Sequence, residues 1–407
     1  MLPVYIERAE NAELWDAEGK RYIDFAGGIA VVNTGHLHPK VKAAVTAQLE
    51  AFSHTCVMIT PYRLAVELAE RLNEIAPGST PKKTMFVTTG AEAVENAIKI
   101  ARSHTGRPGV IAFGGGFHGR TYMGMALTGK VAPYKIGFGP FPGDVYHVPF
   151  PMPFHGGSTE ESLNALEQLF KTEVEPARVA AIIVEPVLGE GGFYVAPRDF
   201  LPALRALCDS HGILLICDEI QTGFARTGRM FASEHFNIEP DLMTLAKSLA
   251  GGFPLAAIVG KAPIMDAPVV GGLGGTYAAS PVACAAALAV LDVMREEDLP
   301  GRSQKIGDRI RSRMQGLQSR LRCIGEVRGL GGMIAIELVR DRVPHQPDAD
   351  LAKALVQRCA ANGLVLLSCG IYSNVIRFLP PLTISDALLD EGLSVVERAL
   401  TDLASAK

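Results

Sequence analysis

An acidic residue and a lysine stand at the ends of two short apolar runs in the middle of the chain. The run 213–217 has five residues, too few for a helix, and it favours a buried parallel strand that ends at Asp218. The segment 241–247 predicts a second strand, which ends at Lys247 before the glycine pair 251–252. Ligands of open α/β sheets bind just beyond the carboxyl ends of the strands. We therefore expect Asp218 and Lys247 to face one crevice.

A carboxylate and a lysine that converge on one crevice suit pyridoxal 5'-phosphate (PLP). The lysine amine forms a Schiff base with this cofactor, and the aspartate keeps the pyridine nitrogen protonated, so that the ring takes up electrons when a substrate C–H bond breaks. Taken singly, Asp218 could simply start a loop and Lys247 could be a solvated charge. Only together with the motifs around them do the two residues indicate PLP chemistry.

The composition is typical of a globular enzyme. The chain has 407 residues, enough for two or three domains, with 48% hydrophobic and 20% charged residues. A formal net charge of −4 gives no electrostatic reason to expect a nucleic acid or an acidic membrane surface as partner. Neither His36-x-His38 nor any other spacing predicts a metal site.

The cysteines and the N-terminus bear on the cellular compartment. Seven cysteines are scattered without a C-x-x-C pair, which favours buried thiols in a reducing compartment. The first residues lack the basic flank and apolar core of a signal peptide, and the most apolar helix candidate, 282–294, is too short to span a bilayer. We expect a cytoplasmic protein.

Strands and helices alternate through the middle of the chain, as in an α/β domain. Residues 12–25 predict a β-hairpin, and 137–157 predicts an ordered surface loop because it is rich in proline, glycine and aromatic residues. After a helix at 281–297 the pattern changes to that of a smaller α+β region. We expect an N-terminal segment (1–35) packed with a small C-terminal domain (298–407), and a large cofactor-binding domain between them (36–297).

Four separated motifs carry a resemblance to a known family. They are TTGAEAVENAIKIAR at 88–102, DEIQTGFARTG at 218–228, AKSLAGGFP at 246–254 and GGLGGTY at 271–277. With these motifs the chain resembles the class III (omega-amino-acid) aminotransferases, and among them most of all the bacterial 4-aminobutyrate aminotransferases. The resemblance implies PLP-dependent transferase fold type I, with a large α/β/α domain around a mostly parallel sheet and a smaller α+β domain.

The cofactor phosphate is expected at Gly90 and Ala91, because a helix N-terminus there offers free N–H groups and a favourable dipole. The resemblance adds Thr276 as a second phosphate contact from the other subunit, which implies a homodimer or a tetramer of two dimers. It also places Phe117 and Ile220 on the two faces of the cofactor ring.

The resemblance implies further roles at both ends of the site. Gln221 would hydrogen-bond the ring hydroxyl, and Ile29 and Glu185 would contribute to the substrate site. Leu188 stands where the family commonly has glutamine, so the packing beneath the neighbouring loop is expected to differ. The chain also starts about where the family's first hairpin begins.

Two arginines and a glutamate form the expected substrate site. Arginine binds carboxylates bidentately, and by resemblance Arg120 would hold the distal carboxylate of a substrate. Arg377 would hold the α-carboxylate of glutamate or 2-oxoglutarate. Glu190 would pair with Arg377 when the substrate has no α-carboxylate, and we count it with Lys247 and Asp218 among the catalytic residues.

The expected reaction moves the amino group of 4-aminobutyrate to 2-oxoglutarate and gives succinate semialdehyde and glutamate by a ping-pong mechanism. 5-Aminovalerate, ornithine and acetylornithine are alternative donors within the family. A nicotinamide oxidoreductase is an alternative outside it, because 114–119 spells G-x-G-x-x-G, but 134–143 lacks the acidic residue that this motif needs. A non-catalytic PLP-binding protein is a third alternative.

Overall fold

The computed structural model describes residues 3–343 and 345–405. Within them lie eighteen strands: β1 (Ile6–Glu10), β2 (Glu13–Asp16), β3 (Arg21–Asp24), β4 (Lys82–Val87), β5 (Gly109–Phe113), β6 (Val145–Val148), β7 (Val179–Val184), β8 (Val187–Leu188), β9 (Tyr194–Val195), β10 (Leu214–Asp218), β11 (Leu242–Leu245), β12 (Ala256–Lys261), β13 (Ile324–Leu330), β14 (Met333–Arg342), β15 (His345–Pro347), β16 (Leu364–Val365), β17 (Leu367–Cys369) and β18 (Val375–Phe378).

The same residues form thirteen helices and four 3-10 turns. The helices are α1 (Gly27–Ala30), α2 (Pro39–Ala51), α3 (Arg63–Ile75), α4 (Gly90–Thr105), α5 (Tyr122–Leu127), α6 (Thr159–Thr172), α7 (Gly189–Gly192), α8 (Phe200–His211), α9 (Ala262–Met265), α10 (Pro281–Glu296), α11 (Leu299–Arg320), α12 (Ala349–Ala361) and α13 (Asp386–Ser405). The 3-10 turns are Pro153–His155, Pro176–Arg178, Ala232–Phe236 and Lys247–Ala250.

A seven-stranded sheet in the order β4-β12-β11-β10-β7-β5-β6 forms the centre of the molecule. β12 is antiparallel to both of its neighbours, and the other pairs are parallel. From Ala181 to Val184 the residues of β7 alternate between two apolar cores: Ile182 lies in one and Ile183 in the other. Such alternation requires helices on both faces, and the predicted α/β/α fold with a mostly parallel sheet is confirmed.

The N-terminal strands are completed by a strand from the C-terminal region. β1, β2 and β3 form a meander, and β16 adds to it in parallel with Leu364 opposite Ile23. A separate sheet in the order β13-β14-β18-β17, with β15 on β14, belongs to the C-terminal region. These pairings agree with an N-terminal segment that packs on a small domain. The expected boundaries at 35 and 297 stay a prediction.

Three expected elements differ in the structure. The segment 137–157 contains the edge strand β6, a partly exposed Val-Tyr-His-Val strand beside proline-rich segments. The sequence pattern predicts a helix at 304–320, but the helix starts at Leu299, because the Asp298 side chain accepts a 3.2 Å hydrogen bond from Gly301 N and caps it. The sequence pattern predicts a single strand at 364–367, but this segment is divided between β16 and β17, which belong to different sheets.

The cysteines, the helix lengths and the side chains that could bind a metal bear on the remaining predictions. All seven cysteines are free thiols; Cys56 and Cys323 are partly exposed and the other five are buried. Over the stretches 3–343 and 345–405, every helix lacks either the length or the apolar character that a membrane crossing requires. In the same stretches no three acidic, histidine or cysteine side chains gather as metal ligands do.

Close packing of α11 on the β13–β14 turn gives a stability prediction. A Cβ atom at Gly307 would lie 1.7 Å from Gly331 O, whereas one at Gly316 in the same helix would meet nothing within 4 Å. Gly307→Ala should therefore destabilise the fold by about 1–3 kcal/mol or more, because the helix must move off the turn. Gly316→Ala should stabilise it by about 0.5–1 kcal/mol through the higher helix propensity of alanine.

Thermal unfolding of the two holoenzyme variants measures this difference. A melting temperature for Gly307→Ala equal to that of Gly316→Ala would contradict the close contact.

Candidate active site

A cavity of about 570 Å³ opens beyond the carboxyl ends of β10 and β11. Ten of the residues expected from the sequence line it: Gly90, Ala91, Phe117, Arg120, Glu185, Glu190, Asp218, Ile220, Gln221 and Lys247. Arg377 does not line the cavity itself, but it contacts Glu190, which does. Ile29 and Thr276 do not line the cavity of their own chain.

Asp218 is the last residue of β10 and is almost completely buried. One carboxylate oxygen lies 2.8 Å from His118 Nδ1, and the other accepts hydrogen bonds from Thr244 Oγ1 (3.0 Å) and Ile220 N (3.2 Å). Since a carboxylate only accepts, His118 Nδ1 carries the proton in this contact. A buried carboxylate with three donors keeps a fixed direction, as a partner of a cofactor nitrogen must.

The sequence analysis missed both side-chain partners of Asp218. His118 follows Phe117 in the segment 114–119, which was considered only for its glycines and its aromatic residue. Thr244 is the polar residue of the otherwise apolar strand β11, and its register opposite Asp218 explains its role. A hydroxyl within an apolar strand beside the acid is the signal that could have identified it.

Lys247 starts the 3-10 turn that follows β11 and has a φ angle of 49°. A lysine with positive φ is strained, and such strain is common at functional sites. Burial lowers the pKa of the Lys247 ammonium to about 8, although the nearby Glu190 carboxylate acts in the opposite direction. A larger share of its amine is therefore neutral, and so nucleophilic, near neutral pH.

The N-terminus of α4 forms an anion cradle. Thr89 caps the helix by accepting from Glu92 N (3.2 Å), and the Glu92 carboxylate accepts from Thr89 N (2.9 Å). The first amides of a helix have no intrahelical acceptor, so Gly90 and Ala91 keep theirs for a ligand. A Cβ at Gly90 would lie 2.9 Å from Ile220 Cδ1, so glycine is needed there to keep the cradle open.

Gln221 offers the oxygen of its side-chain amide to a ligand in the cavity. Its side chain lines the cavity, and its buried Oε1 has no hydrogen-bond partner among the residues that the structure describes. Burying an unsatisfied carbonyl costs free energy, so a bound hydroxyl is expected there. Together with the α4 cradle, Asp218 and Lys247, this orphaned atom means that the residues present fit PLP.

Glu185 holds the cavity wall together. Its carboxylate accepts from Phe117 N (2.8 Å) and Gly189 N (2.9 Å), which joins the aromatic segment to the turn that carries Glu190. Burial raises the pKa of Glu185 to about 7, although the nearby His118 acts to lower it.

Glu190 and Arg377 form an ion pair in which Arg377 Nη1 lies 2.5 Å from Glu190 Oε1. Burial raises the pKa of Glu190, but the charge of Arg377 and its hydrogen bond outweigh burial and hold the pKa below its usual value. The arginine side chain is only 4% exposed, and its Nε has no hydrogen-bond partner in the described part of the chain. Leu188 is fully buried beneath this turn. The expected Glu190–Arg377 contact is therefore present.

Arg120 lines the cavity and is exposed. Its guanidinium stands 4.9 Å from the ring centre of Tyr134, whose hydroxyl is 3.5 Å from Glu190 Oε2. Tyr134 is a further residue that the sequence analysis missed, since it falls in a segment without periodic pattern. Arg120 forms no ion pair within the described residues and is open to a carboxylate.

Two expected residues lie elsewhere. Ile29 has a φ angle of 66°, is 42% exposed and stands outside the cavity wall, where its neighbour Val31 contributes instead. Thr276 is exposed on the 271–277 segment. Neither residue reaches the site of its own chain.

The pKa of Lys247 predicts a pH dependence. Lys247 is protonated below its pKa of about 8 and neutral above it. Covalent attachment of PLP to apo-enzyme should therefore accelerate about tenfold per pH unit up to pH 8 and then level off, whereas an ordinary lysine would keep accelerating to about pH 10.4.

Stopped-flow absorbance measures this rate. Nα-acetyl-lysine corrects for the titration of PLP itself, and Lys247→Ala should show no covalent phase. A rate that still rises steeply between pH 9 and pH 10 would contradict the lowered pKa.

Comparison with known proteins agrees with this geometry. The model of the family described as aminotransferase class-III matches residues 1–400. The chain is 56% identical to the 5-aminovalerate aminotransferase of Pseudomonas aeruginosa over 402 residues, which are 99% of this chain and 94% of the relative. It is 52% identical to the 4-aminobutyrate aminotransferase of Escherichia coli over 400 residues, or 98% and 94% of the two chains.

Solved structures agree as well. The PLP-bound amine transaminase from an uncultivated Pseudomonas species superposes with a TM-score of 0.91 at 32% identity, covering 98% of this chain and 95% of that one. The nicotinamide oxidoreductase alternative is therefore rejected. The chain belongs to the class III aminotransferases, and its cofactor is PLP.

Proposed function

We propose that this enzyme transfers the amino group of 4-aminobutyrate to 2-oxoglutarate, giving succinate semialdehyde and glutamate. The observation that carries the proposal is the Glu190–Arg377 ion pair at a site whose other arginine, Arg120, is unpaired. One site must accept a donor with one carboxylate and an acceptor with two. A permanently free second arginine would serve only the acceptor.

In the donor half-reaction the single carboxylate of 4-aminobutyrate binds Arg120. The terminal amine then points toward Lys247, and Arg377 receives no substrate carboxylate. Because an unpaired arginine in a dry pocket is costly, Glu190 neutralises it in the arrangement seen here.

In the acceptor half-reaction 2-oxoglutarate brings a second carboxylate. Its distal carboxylate takes the place on Arg120, and its α-carboxylate displaces Glu190 from Arg377. Bidentate binding of a carboxylate to a guanidinium fixes the orientation of the carbonyl carbon. Displacement is feasible because Glu190 lies at the cavity wall, where its carboxylate has space to turn.

Proton transfer falls to Lys247. PLP, when bound, supplies the electron sink that stabilises negative charge on the substrate carbon. The Lys247 amine is suited to move a proton between carbon atoms because its pKa is lowered to about 8. Asp218, oriented by His118 and Thr244, would supply the negative charge that keeps the ring nitrogen of PLP protonated.

5-Aminovalerate is the second candidate donor. It differs from 4-aminobutyrate by one methylene, and the 56% identical relative is named for it, whereas the 52% identical relative is named for 4-aminobutyrate. A single methylene changes specificity by only about 10–200-fold. Both donors fit the same arrangement of Arg120 and Lys247, so the choice between them rests on measured rates.

We also propose that the working unit is at least a homodimer. Thr276 and its apolar neighbours Val269, Val270 and Tyr277 are exposed in one chain, as is Met58. Contiguous apolar surface marks interaction sites, and a second copy would cover it while bringing its Thr276 to the phosphate. A cytoplasmic location stays a prediction from the sequence.

Separate measurement of the two half-reactions tests the substrate proposal. Glu190→Gln removes the charge that neutralises Arg377, so it should slow the 4-aminobutyrate half-reaction by about tenfold or more while affecting glutamate less. Arg377→Ala should do the reverse, since only glutamate needs that arginine. Cofactor absorbance under single-turnover conditions gives each rate.

The same assay ranks the donors. 4-Aminobutyrate should have the highest second-order rate constant for the donor half-reaction. 5-Aminovalerate should come next, with ornithine and acetylornithine far below. Equal losses of both half-reactions in both variants would refute the exchange of partners at Arg377, and a preference for ornithine or acetylornithine would refute the donor assignment.

The dimer has its own test. Thr276→Ala should weaken PLP binding by about 1.5–3 kcal/mol, the value of one hydrogen bond to a charged group. Thr401→Ala, on the exposed face of α13, is the matched control and should leave PLP affinity unchanged. Sedimentation of the active holoenzyme as a monomer would overturn the proposal.

A further inference from the structure

The turn α7, which carries Glu190, is held at both ends by arginines of the five-stranded sheet. Arg377 binds the Glu190 side chain at one end. At the other end Gly192 O accepts two hydrogen bonds from Arg328, from Nε at 2.9 Å and from Nη2 at 2.7 Å. Arg328 is 8% exposed, so this is a buried contact of a charged donor with a backbone carbonyl.

Strand register places the two arginines in one row. Arg328 on β13 lies opposite Ala335 on β14, and Ala335 lies opposite Arg377 on β18. Residues directly opposite each other point to the same face of a sheet, and two strand spacings separate the arginines by about 10 Å. Alanine between them leaves space for the turn, and Phe193 at its end belongs to the same apolar cluster as Ala335.

Glu337 fixes Arg328 from the neighbouring row. Its Oε2 accepts from Arg328 Nη1 (2.7 Å) and from Tyr194 Oη (2.6 Å). The Arg328 guanidinium also stands 3.8 Å from the centre of the Tyr194 ring. We call Arg328, Glu337 and Tyr194 the clamp. Tyr194 begins β9, two residues after the turn ends at Gly192, so the clamp holds the turn and β9 together.

The other carboxylate oxygen of Glu337 connects the clamp to the strand of Arg377. Asn374, directly before β18, donates to Glu337 Oε1 at 3.3 Å, and His155 Nε2 lies 3.0 Å from the same atom. Burial raises the pKa of Glu337, but the hydrogen bond from His155 and the charge of Arg328 lower it to about 2. The carboxylate is therefore charged at neutral pH.

None of the clamp residues Arg328, Glu337 and Tyr194 lines the cavity. The turn is also pinned in its middle, because Glu190 O accepts from Gly370 N at 3.0 Å. We infer that Arg328, held by Glu337, is a positioning residue that fixes the backbone of the Glu190 turn, so that only the Glu190 side chain moves when Arg377 exchanges partners. The inference rests on the proposed function, in which that exchange takes place.

This arrangement makes the two half-reactions unequal in their need for Arg328. With 4-aminobutyrate, Glu190 must sit on Arg377, and a turn released at Gly192 would carry Glu190 away. With glutamate, the α-carboxylate binds Arg377 itself and Glu190 is displaced. A purely structural arginine would affect both half-reactions equally.

Arg328→Lys in the holoenzyme tests the inference. Lysine keeps the charge beside Glu337 but cannot donate two parallel bonds to Gly192 O. We expect the 4-aminobutyrate half-reaction to slow about tenfold or more, and the glutamate half-reaction to stay within about threefold of the parent. Arg342→Lys is the matched control: Arg342 Nη2 also donates to two backbone carbonyls in this sheet region, those of Gln318 and Leu321.

Glu190→Gln in the same assay separates the inference from the proposed function. If Glu190→Gln changes the ratio of the two half-reactions and Arg328→Lys does not, the inference alone is overturned. If Glu190→Gln leaves the ratio unchanged, the proposed function itself has failed. In the double variant, Glu190→Gln should add little to the loss caused by Arg328→Lys, since both act through the same contact.

Tyr194→Phe keeps the test decisive if Arg328→Lys does not yield folded holoenzyme. It removes one donor to Glu337 while preserving the ring beneath Arg328. The ratio should move in the same direction, by about threefold or more, and the loss of the hydrogen bonds to Glu337 and His155 should also lower the melting temperature. A lower melting temperature with an unchanged ratio would assign the clamp a structural role only.

Discussion

The ion pair between Glu190 and Arg377 is the contact on which the arrangement of the molecule depends. The arginine is almost completely enclosed, and a charge in such a place must have a partner. Its partner lies on a turn between β8 and β9, whereas the arginine is on β18 of the C-terminal sheet. The packing of this turn against that sheet is thereby tied to the electrostatic state of the site.

Two neighbouring carboxylates have different pKa values because their surroundings differ. Glu185 and Glu190 lie five residues apart around the same cavity. Burial raises the pKa of Glu185 to about 7, whereas the charge of Arg377 keeps the pKa of Glu190 low. Glu185 can therefore serve as a backbone anchor that tolerates a proton, and Glu190 as a charged partner of Arg377. Two residues of one type acquire separate roles from their surroundings alone.

Much of the fold followed from local pattern. Apolar runs such as 179–184 predicted β7 to the residue, and the alternation of strands with helices predicted the central sheet. The strand β6 was not predicted because it has only four residues and lies partly exposed at the sheet edge, where burial imposes little pattern. The split of 364–367 between two sheets escaped because sheet membership depends on distant partners, here Ile23 for β16.

The sequence by itself determined the cofactor chemistry and the residues that carry it, because an acid and a lysine at strand ends and a glycine at a helix start are local signals. Tertiary structure decided what surrounds them. His118 and Thr244 reach Asp218 from other segments, and Arg328 and Arg377 share a face only because β14 lies between them with alanine at the crossing. Such contacts join residues from 26 to 100 positions apart, and the free energy that selects them is the cost of leaving a buried charge unpaired.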